Sequence, residues 1–138
     1  MKRIIETLLK STAIFLFAVL ALAPSAWASI TLDTASSIND PGGVATLGWY
    51  HTVNAGANRM LVVGVTTESE PDVTVTDVTY GTQAMTQVPG ARAVQTAPAN
   101  ASDLWYLVAP DVGTDVIITV NFSGAVSAGT VVGAVSLF

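Results

Sequence analysis

The 138-residue sequence has no cysteine, one histidine and five basic residues, and each scarcity excludes a class of protein. Without cysteine there are no disulfides, so packing, bound ions or subunit contacts must stabilise the fold. Three of the basic residues lie before residue 11, so residues 29–138 keep only Arg59 and Arg92 against nine carboxylates, a net charge of −7. Nucleic acids and anionic membrane surfaces are therefore excluded as partners, because both recruit clustered Lys and Arg.

Residues 1–28 predict a secretory signal peptide. Basic residues precede an apolar run of 12 residues, 12–23, which leads to the small-residue triplet Ala26-Trp27-Ala28. The run is too short for a membrane anchor, because a bilayer-spanning helix needs about 20 apolar residues. We expect cleavage after Ala28 and a mature chain in the periplasm or outside the cell, with no membrane contact afterwards.

Residues 29–138 predict a single all-β domain. Short segments rich in Val, Ile, Thr and aromatic residues alternate with Pro, Gly, Asn and Asp turns, and no helical period is sustained. The predicted strands cover residues 30–33, 44–53, 60–67, 73–80, 84–88, 103–108, 115–122 and 130–138. About eight strands at this spacing favour a two-layer antiparallel β-sandwich, either jelly-roll or immunoglobulin-like.

Alternation along the strands predicts which side chains face the core. The strand predicted over residues 115–122 has a single apolar face, which we expect to be buried. This face is formed by Val116, Ile118, Val120 and Phe122. The segment 60–65 is apolar on both faces, which predicts a central strand covered on each side. In the last strand the apolar set is Val131, Val135 and Leu137.

Four motifs along the chain resemble those of a poorly characterised family of secreted β-sandwich domains from environmental bacteria. In that family they read W-x-H, N-R-x-L-V-V-G-V, V-T-x-V-T-Y-G and L-Y-Y-L, and here they correspond to residues 49–53, 58–65, 75–81 and 104–108. The resemblance implies an extracellular or surface-attached domain and carries over no catalytic residue. Such domains usually continue beyond the strand that matches residues 130–138, which implies that this one is shortened at its C-terminus.

The residues indicate no catalytic site, and we expect the protein not to be an enzyme. His51, the only histidine, lies within a strand beside apolar neighbours, with no nucleophile motif to serve. The segment 125–129 lacks the first glycine of a nucleophile elbow, and residues 29–138 contain no lysine for a phosphate loop. Glu68 and Glu70 share one short loop, whereas glycosidase carboxylates flank the substrate from opposite sides.

The same acidic loop is a candidate metal site. Glu68, Glu70 and Asp72 alternate along the chain, which lets three carboxylates converge on a hard cation such as Ca²⁺. A solvated acidic turn is the alternative. No other cofactor is predicted.

Adjacent aromatic pairs, Trp49-Tyr50 and Trp105-Tyr106, are the candidate ligand-binding residues. Neighbouring strand residues point to opposite faces, so one member of each pair can pack inside while the other faces outward. Tyr106 shares a face with apolar neighbours and is predicted inside, which leaves Trp105, with Tyr50, as candidate stacking platforms for a sugar. The alternative is that all four pack in the core.

The C-terminal strand is uncharged and strongly β-forming up to its last residue. It either pairs in the middle of a sheet or presents an open edge that a partner strand completes. In the second case the assembly edge comprises Val131, Val132, Val135, Leu137 and Phe138.

These patterns lead to two functional hypotheses for a non-catalytic extracellular or cell-surface domain. The first is adhesion or carbohydrate binding, with a polysaccharide or surface glycan as partner. The second is a self-assembling structural subunit of an extracellular fibre or matrix. A secreted hydrolase is a distant third.

Overall fold

The computed structural model describes residues 29–96 and 99–138, so the predicted signal peptide lies outside the described residues. These residues form ten β-strands in two antiparallel sheets, which confirms the predicted all-β sandwich. Between Ser29 and Thr96 and between Ala99 and Phe138 there is no helix that could span a membrane.

The larger sheet has β1 at one edge, and its order is β1-β10-β3-β8-β6, with β7 also pairing with β8. Its strands are β1 (Leu32–Asp40), β3 (Met60–Glu68), β6 (Thr86–Gln87), β7 (Ala93–Thr96), β8 (Ala99–Val108) and β10 (Gly129–Leu137). The smaller sheet has the order β2-β9-β4-β5. Its strands are β2 (Thr46–Val53), β4 (Val75–Tyr80), β5 (Gln83–Ala84) and β9 (Gly113–Phe122).

The core lies between the two sheets and is built from their inward-facing side chains. Strand β9 confirms its predicted face, because Ile118, Val120 and Phe122 are buried and Val116 packs against the core. Strand β3 is central, as predicted, but only its inward face is covered by the described residues: Met60 is exposed and Val62 is half-buried.

Two local irregularities explain why the strand count exceeds the prediction. The predicted strand 84–88 divides at Met85, because β5 pairs with β4 in the smaller sheet and β6 pairs with β8 in the larger one. Met85 is buried at this crossing between the sheets, and its N–H donates to the carbonyl of Val78 at 2.9 Å. Strand β7, which is absent from the predicted strands, pairs with β8.

The C-terminal strand is not an open edge, so the predicted assembly edge at Val131, Val132, Val135, Leu137 and Phe138 is wrong. Strand β10 pairs with β1 on one side and with β3 on the other along its whole length. Phe138 continues this pairing by exchanging two backbone hydrogen bonds with Thr31, of 2.7 and 3.1 Å. Its ring lies against Gly56, where an added Cβ would approach ring atoms to 2.8 Å. The backbone groups that a partner strand would need are therefore already used.

The inward face of β10 is also the opposite of the predicted one. Val132, Ala134 and Ser136 are buried, whereas Val131 and Val135 are exposed. Residues directly opposite in an antiparallel pair point to the same side. Since Val132 lies opposite the buried Val65 of β3, its neighbours in the chain must face outward.

Candidate functional site

Trp105 is a core residue, and the prediction that it forms a stacking platform is wrong. Its side chain is only 7% exposed, and it lies opposite the buried Val63 of β3. Its indole Nε1 is buried and has no hydrogen-bond partner among the described residues. The outward positions of this strand belong to Leu104, Tyr106 and Val108 instead.

Tyr50 is exposed, as predicted, with 65% of its surface accessible. It lies on the outward face of the smaller sheet opposite Ile117 of β9, and its neighbour Trp49 is buried. A single ring remains of the two predicted platforms. The binding of a sugar by Tyr50 stays a prediction.

The acidic loop does not form the predicted metal site. Among residues 29–96 and 99–138, no group of three or more His, Asp or Glu side chains is placed to hold a metal ion, so Glu68, Glu70 and Asp72 do not converge. Asp72 instead pairs with Arg92, whose Nη2 lies 2.9 and 2.8 Å from the two carboxylate oxygens. The same guanidinium donates from Nη1 to Asp103, at 2.6 Å. Asp103 is buried on β8 and also accepts a hydrogen bond from Gln87.

We expect the Arg92→Ala variant to lose about 3–5 kcal/mol of unfolding free energy, because it leaves the buried Asp103 carboxylate without its cation. Asp72→Ala is the matched control, and it should cost less than about 1 kcal/mol because Asp72 is the exposed partner of the same arginine. Urea denaturation followed by circular dichroism measures both. Equal losses in the two variants would contradict the assignment of Arg92 to Asp103.

A buried polar network joins β1 and β2 around His51. The imidazole is 2% exposed, with Nδ1 at 2.8 Å from Ser36 Oγ and Nε2 at 3.2 Å from Thr34 Oγ1. Trp49 Nε1 donates to Ser36 Oγ at 3.0 Å, and Ser136 Oγ on β10 lies 2.9 Å from Thr34 Oγ1. The inside of this corner of the sandwich is therefore polar.

The hydrogen bonds define the proton positions on His51. The hydroxyl of Thr34 donates to the carbonyl of Thr52, so towards the ring it must accept from Nε2–H. A neutral imidazole protonated at Nε2 has an unprotonated Nδ1, which accepts from the hydroxyl of Ser36. Each polar atom of the ring thus has one complementary partner when His51 is neutral.

Burial sets the charge states in this network. Desolvation lowers the pKa of His51, and the nearby carboxylate of Asp33 opposes the shift only in part. Desolvation by itself raises the pKa of Asp33, but hydrogen bonds from Asn54 and Ser136 outweigh this effect, and the pKa of this carboxyl is lowered. Asp33 accepts from Ser136 Oγ at 2.8 Å and from Asn54 Nδ2 at 2.8 Å. Ser, His and Asp are therefore close together, but no hydrogen bond links the carboxylate to the imidazole as in a catalytic triad.

The outward surface of the larger sheet is the second notable region, and we call it the outer face. It consists of four rows of side chains that cross β1, β10, β3 and β8 in register. The rows are Leu32, Leu137, Met60, Val108; then Ala35, Val135, Val62, Tyr106; then Ser37, Gly133, Gly64, Leu104; and last Asn39, Val131, Thr66, Ser102.

The outer face is uncharged and uncovered by the described residues, and its first three rows are apolar apart from Ser37, whereas its fourth row is polar at Asn39, Thr66 and Ser102. None of the four rows contains an acidic or basic residue, although residues 29–138 carry a net charge of −7. Its large side chains are exposed, and Leu32, Val108 and Val131 are each about 60% accessible. Isolated exposed apolar residues are ordinary, but a contiguous apolar patch marks an interaction surface.

A cavity lies at each end of the outer face. The polar one, of about 220 Å³, is lined by residues that include Asn39, Thr66 and Glu68. The apolar one, of about 200 Å³, is lined by residues that include Ile30, Met60 and Leu137. Neither cavity includes Ser36 or His51, so the buried network has no opening through either of them.

Neither the buried network around His51 nor the outer face is predictable as a site from the sequence patterns. The sequence does not reveal that three hydroxyl side chains are part of the network, because a small hydroxyl residue in a β-strand can face either the core or the solvent. These residues are Thr34, Ser36 and Ser136. The outer face did give a signal, since the segment 60–65 is apolar on both sides. That pattern predicts a strand covered on each side, whereas the described residues cover only its inward side.

Comparisons with protein-family models, with curated proteins and with solved structures find no match to this chain. The resemblance to secreted bacterial β-sandwich domains therefore stays a prediction.

Proposed function

We propose that this protein is an exported, non-catalytic structural subunit that associates through the outer face. The observation that carries the proposal is an uncharged, apolar sheet surface on a strongly acidic chain. An acidic protein gains solubility from its charges, and leaving one large surface free of them is costly unless that surface is covered in the functional state. Export follows from residues 1–28, whose pattern is that of a signal peptide.

Carbohydrate binding is the less supported alternative. The burial of Trp105 removes the larger of the two predicted platforms, and Tyr50 alone remains exposed. Most side chains of the outer face are aliphatic and offer a sugar no hydrogen bond, and its one aromatic ring, Tyr106, is half-buried. A hydrolase is less supported still, because the imidazole of His51 is sealed inside the sandwich.

The test places one lysine on each sheet. Val135 and Ile117 are a matched pair, because both are exposed apolar residues on the outward side of a strand that is flanked on both sides. We expect the exported wild-type protein to self-associate across the micromolar range in sedimentation velocity, Val135→Lys to abolish that association, and Ile117→Lys to leave it intact.

A strictly monomeric wild type, or equal effects of the two lysines, would overturn the proposal. Retention of a monomeric wild type on insoluble polysaccharide would favour the carbohydrate alternative.

A further inference from the structure

We infer that the outer face is occupied by a second copy of this chain, packed face to face about a two-fold axis, with the closest approach at Gly64 and Gly133. The inference rests on the proposed function and adds to it the partner and the contact. It follows from the two glycines, from the shape of the rows beside them and from the area available.

Gly64 and Gly133 lie directly opposite each other on the neighbouring strands β3 and β10, at the centre of the outer face. Neither has the positive φ that favours glycine. A Cβ added at Gly64 would meet no atom within 4 Å, and one at Gly133 would find its nearest neighbour at 3.7 Å, an ordinary contact. Nothing in the described chain therefore requires glycine at either position.

Two glycines in adjacent central strands are unfavourable, because glycine has a low β-propensity and supplies no side chain for cross-strand packing. An interior glycine of this kind often marks a place where a ligand or another backbone comes close. Because no such neighbour lies among residues 29–96 and 99–138, we place the close approach at Gly64 and Gly133 outside this described part of the chain.

The glycines make a furrow across the two central strands of the outer face. On one side lies a ridge formed by Val135, Val62 and Tyr106, and on the other the row that contains Val131 and Thr66. A two-fold axis presents the same patch on both copies. A surface that has both a ridge and a furrow can fit a second copy of itself, with each ridge seated in the furrow of the other.

The plan area of the outer face is at the lower limit for a specific dimer. Four strands about 4.8 Å apart and four outward rows about 6.8 Å apart give a plan area of about 500 Å² on each copy. Two copies thus bury about 1,000 Å², before the relief of the side chains is added, which reaches the range of specific interfaces. Packing also brings no acidic groups of the two copies into the contact, because the four rows contain none.

Gly64→Val is the decisive variant, because it separates folding from association. A valine at Gly64 fills open space in the monomer and improves β-propensity, so the thermal midpoint of dilute, dissociated protein should stay unchanged or rise. The same side chain enters the contact twice in a two-fold dimer. Overpacking there should weaken the dimer at least about tenfold.

The experiment uses the exported protein, with its N-terminus determined by mass spectrometry, and measures dimer dissociation by sedimentation equilibrium. Thr119→Val is the matched control, since it places the same side chain on a central strand of the smaller sheet, and it should leave dissociation unchanged.

Three outcomes have distinct meanings. A weakened dimer with an unchanged or higher thermal midpoint of the dilute, dissociated protein supports the inference. If Val135→Lys separates the copies but Gly64→Val does not, the proposed function stands and packing at the glycine furrow is wrong. A monomeric wild type, with or without residues 1–28, overturns both.

Discussion

Replacing Trp105 with alanine is expected to lower the unfolding free energy by about 3–5 kcal/mol, the range for removing a large buried aromatic side chain. The indole is 7% exposed and packs among the inward side chains of both sheets. Total stabilities of small domains are only about 5–15 kcal/mol, so the variant should be partly unfolded at physiological temperature. Urea denaturation followed by far-ultraviolet circular dichroism measures the loss without depending on tryptophan fluorescence.

Tyr50→Ala and Trp105→Phe are the controls for this result. Tyr50 is exposed on the smaller sheet, so its truncation should change stability by no more than about 0.5 kcal/mol. Trp105→Phe should cost much less than Trp105→Ala, because the indole Nε1 has no partner among the described residues to lose. A stability loss for Trp105→Ala as small as that for Tyr50→Ala would mean that Trp105 lies on the surface after all.

The same physical cause misled the sequence analysis at Trp105 and in the last strand. Both predictions assigned the more apolar face of a strand to the core. In β8 the outward set, Leu104, Tyr106 and Val108, looks more apolar than an inward set that contains Asp103. The buried carboxylate is tolerated because Arg92 and Gln87 bind it, and those partners come from a segment whose position no local pattern reveals.

In β10 the inward set is Val132, Ala134 and Ser136, and the outward set includes Val131 and Val135. Small and polar side chains lie inside because the network of His51 lies beneath them. Hydrophobic alternation identifies the core only when the outer side is polar. An apolar outer face removes that contrast, which is why alternation assigns the wrong face in both strands.

The regular parts of the fold followed from the sequence. The buried face of β9 was predictable because that strand has a single apolar face. The central position of β3 was predictable because that strand is apolar on both faces. Strand β4 was not, because its register shifts between Val75 and Asp77. Such an irregularity moves the inward set from Val73 and Val75 to Val78 and Tyr80, which breaks the two-residue period.

The stability of the protein is expected to fall as the pH is lowered from 7 to 5, and His51 is the reason. Its pKa in the folded protein is depressed below the ordinary value of 6.5, so the unfolded chain binds a proton that the folded chain does not. The stabilisation is therefore present above pH 6.5 and is lost as the pH falls below it. Since His51 is the only histidine, no other side chain titrates mainly in this window.

A second loss is expected at lower pH from Asp33. Its folded pKa lies below the ordinary value of 3.8, so its contribution is present above that value and is lost as the pH falls through the folded pKa. The unfolding free energy is therefore expected to fall in two separate stages on acidification, the first from His51 and the second, at lower pH, from Asp33.

His51→Gln and His51→Ala separate the charge from the hydrogen bonds. Glutamine is neutral at every pH and still offers a donor and an acceptor, so its stability should be flat between pH 7 and 5 while the part due to Asp33 remains. Alanine leaves the buried hydroxyls of Ser36 and Thr34 without their ring partner and opens a cavity, which should cost about 3 kcal/mol or more at pH 7. Urea midpoints at a series of pH values measure both effects. A decline in His51→Gln as steep as that of the wild type would show that the imidazole is not its source, and a wild type that gains stability on acidification would mean that His51 is protonated inside the fold.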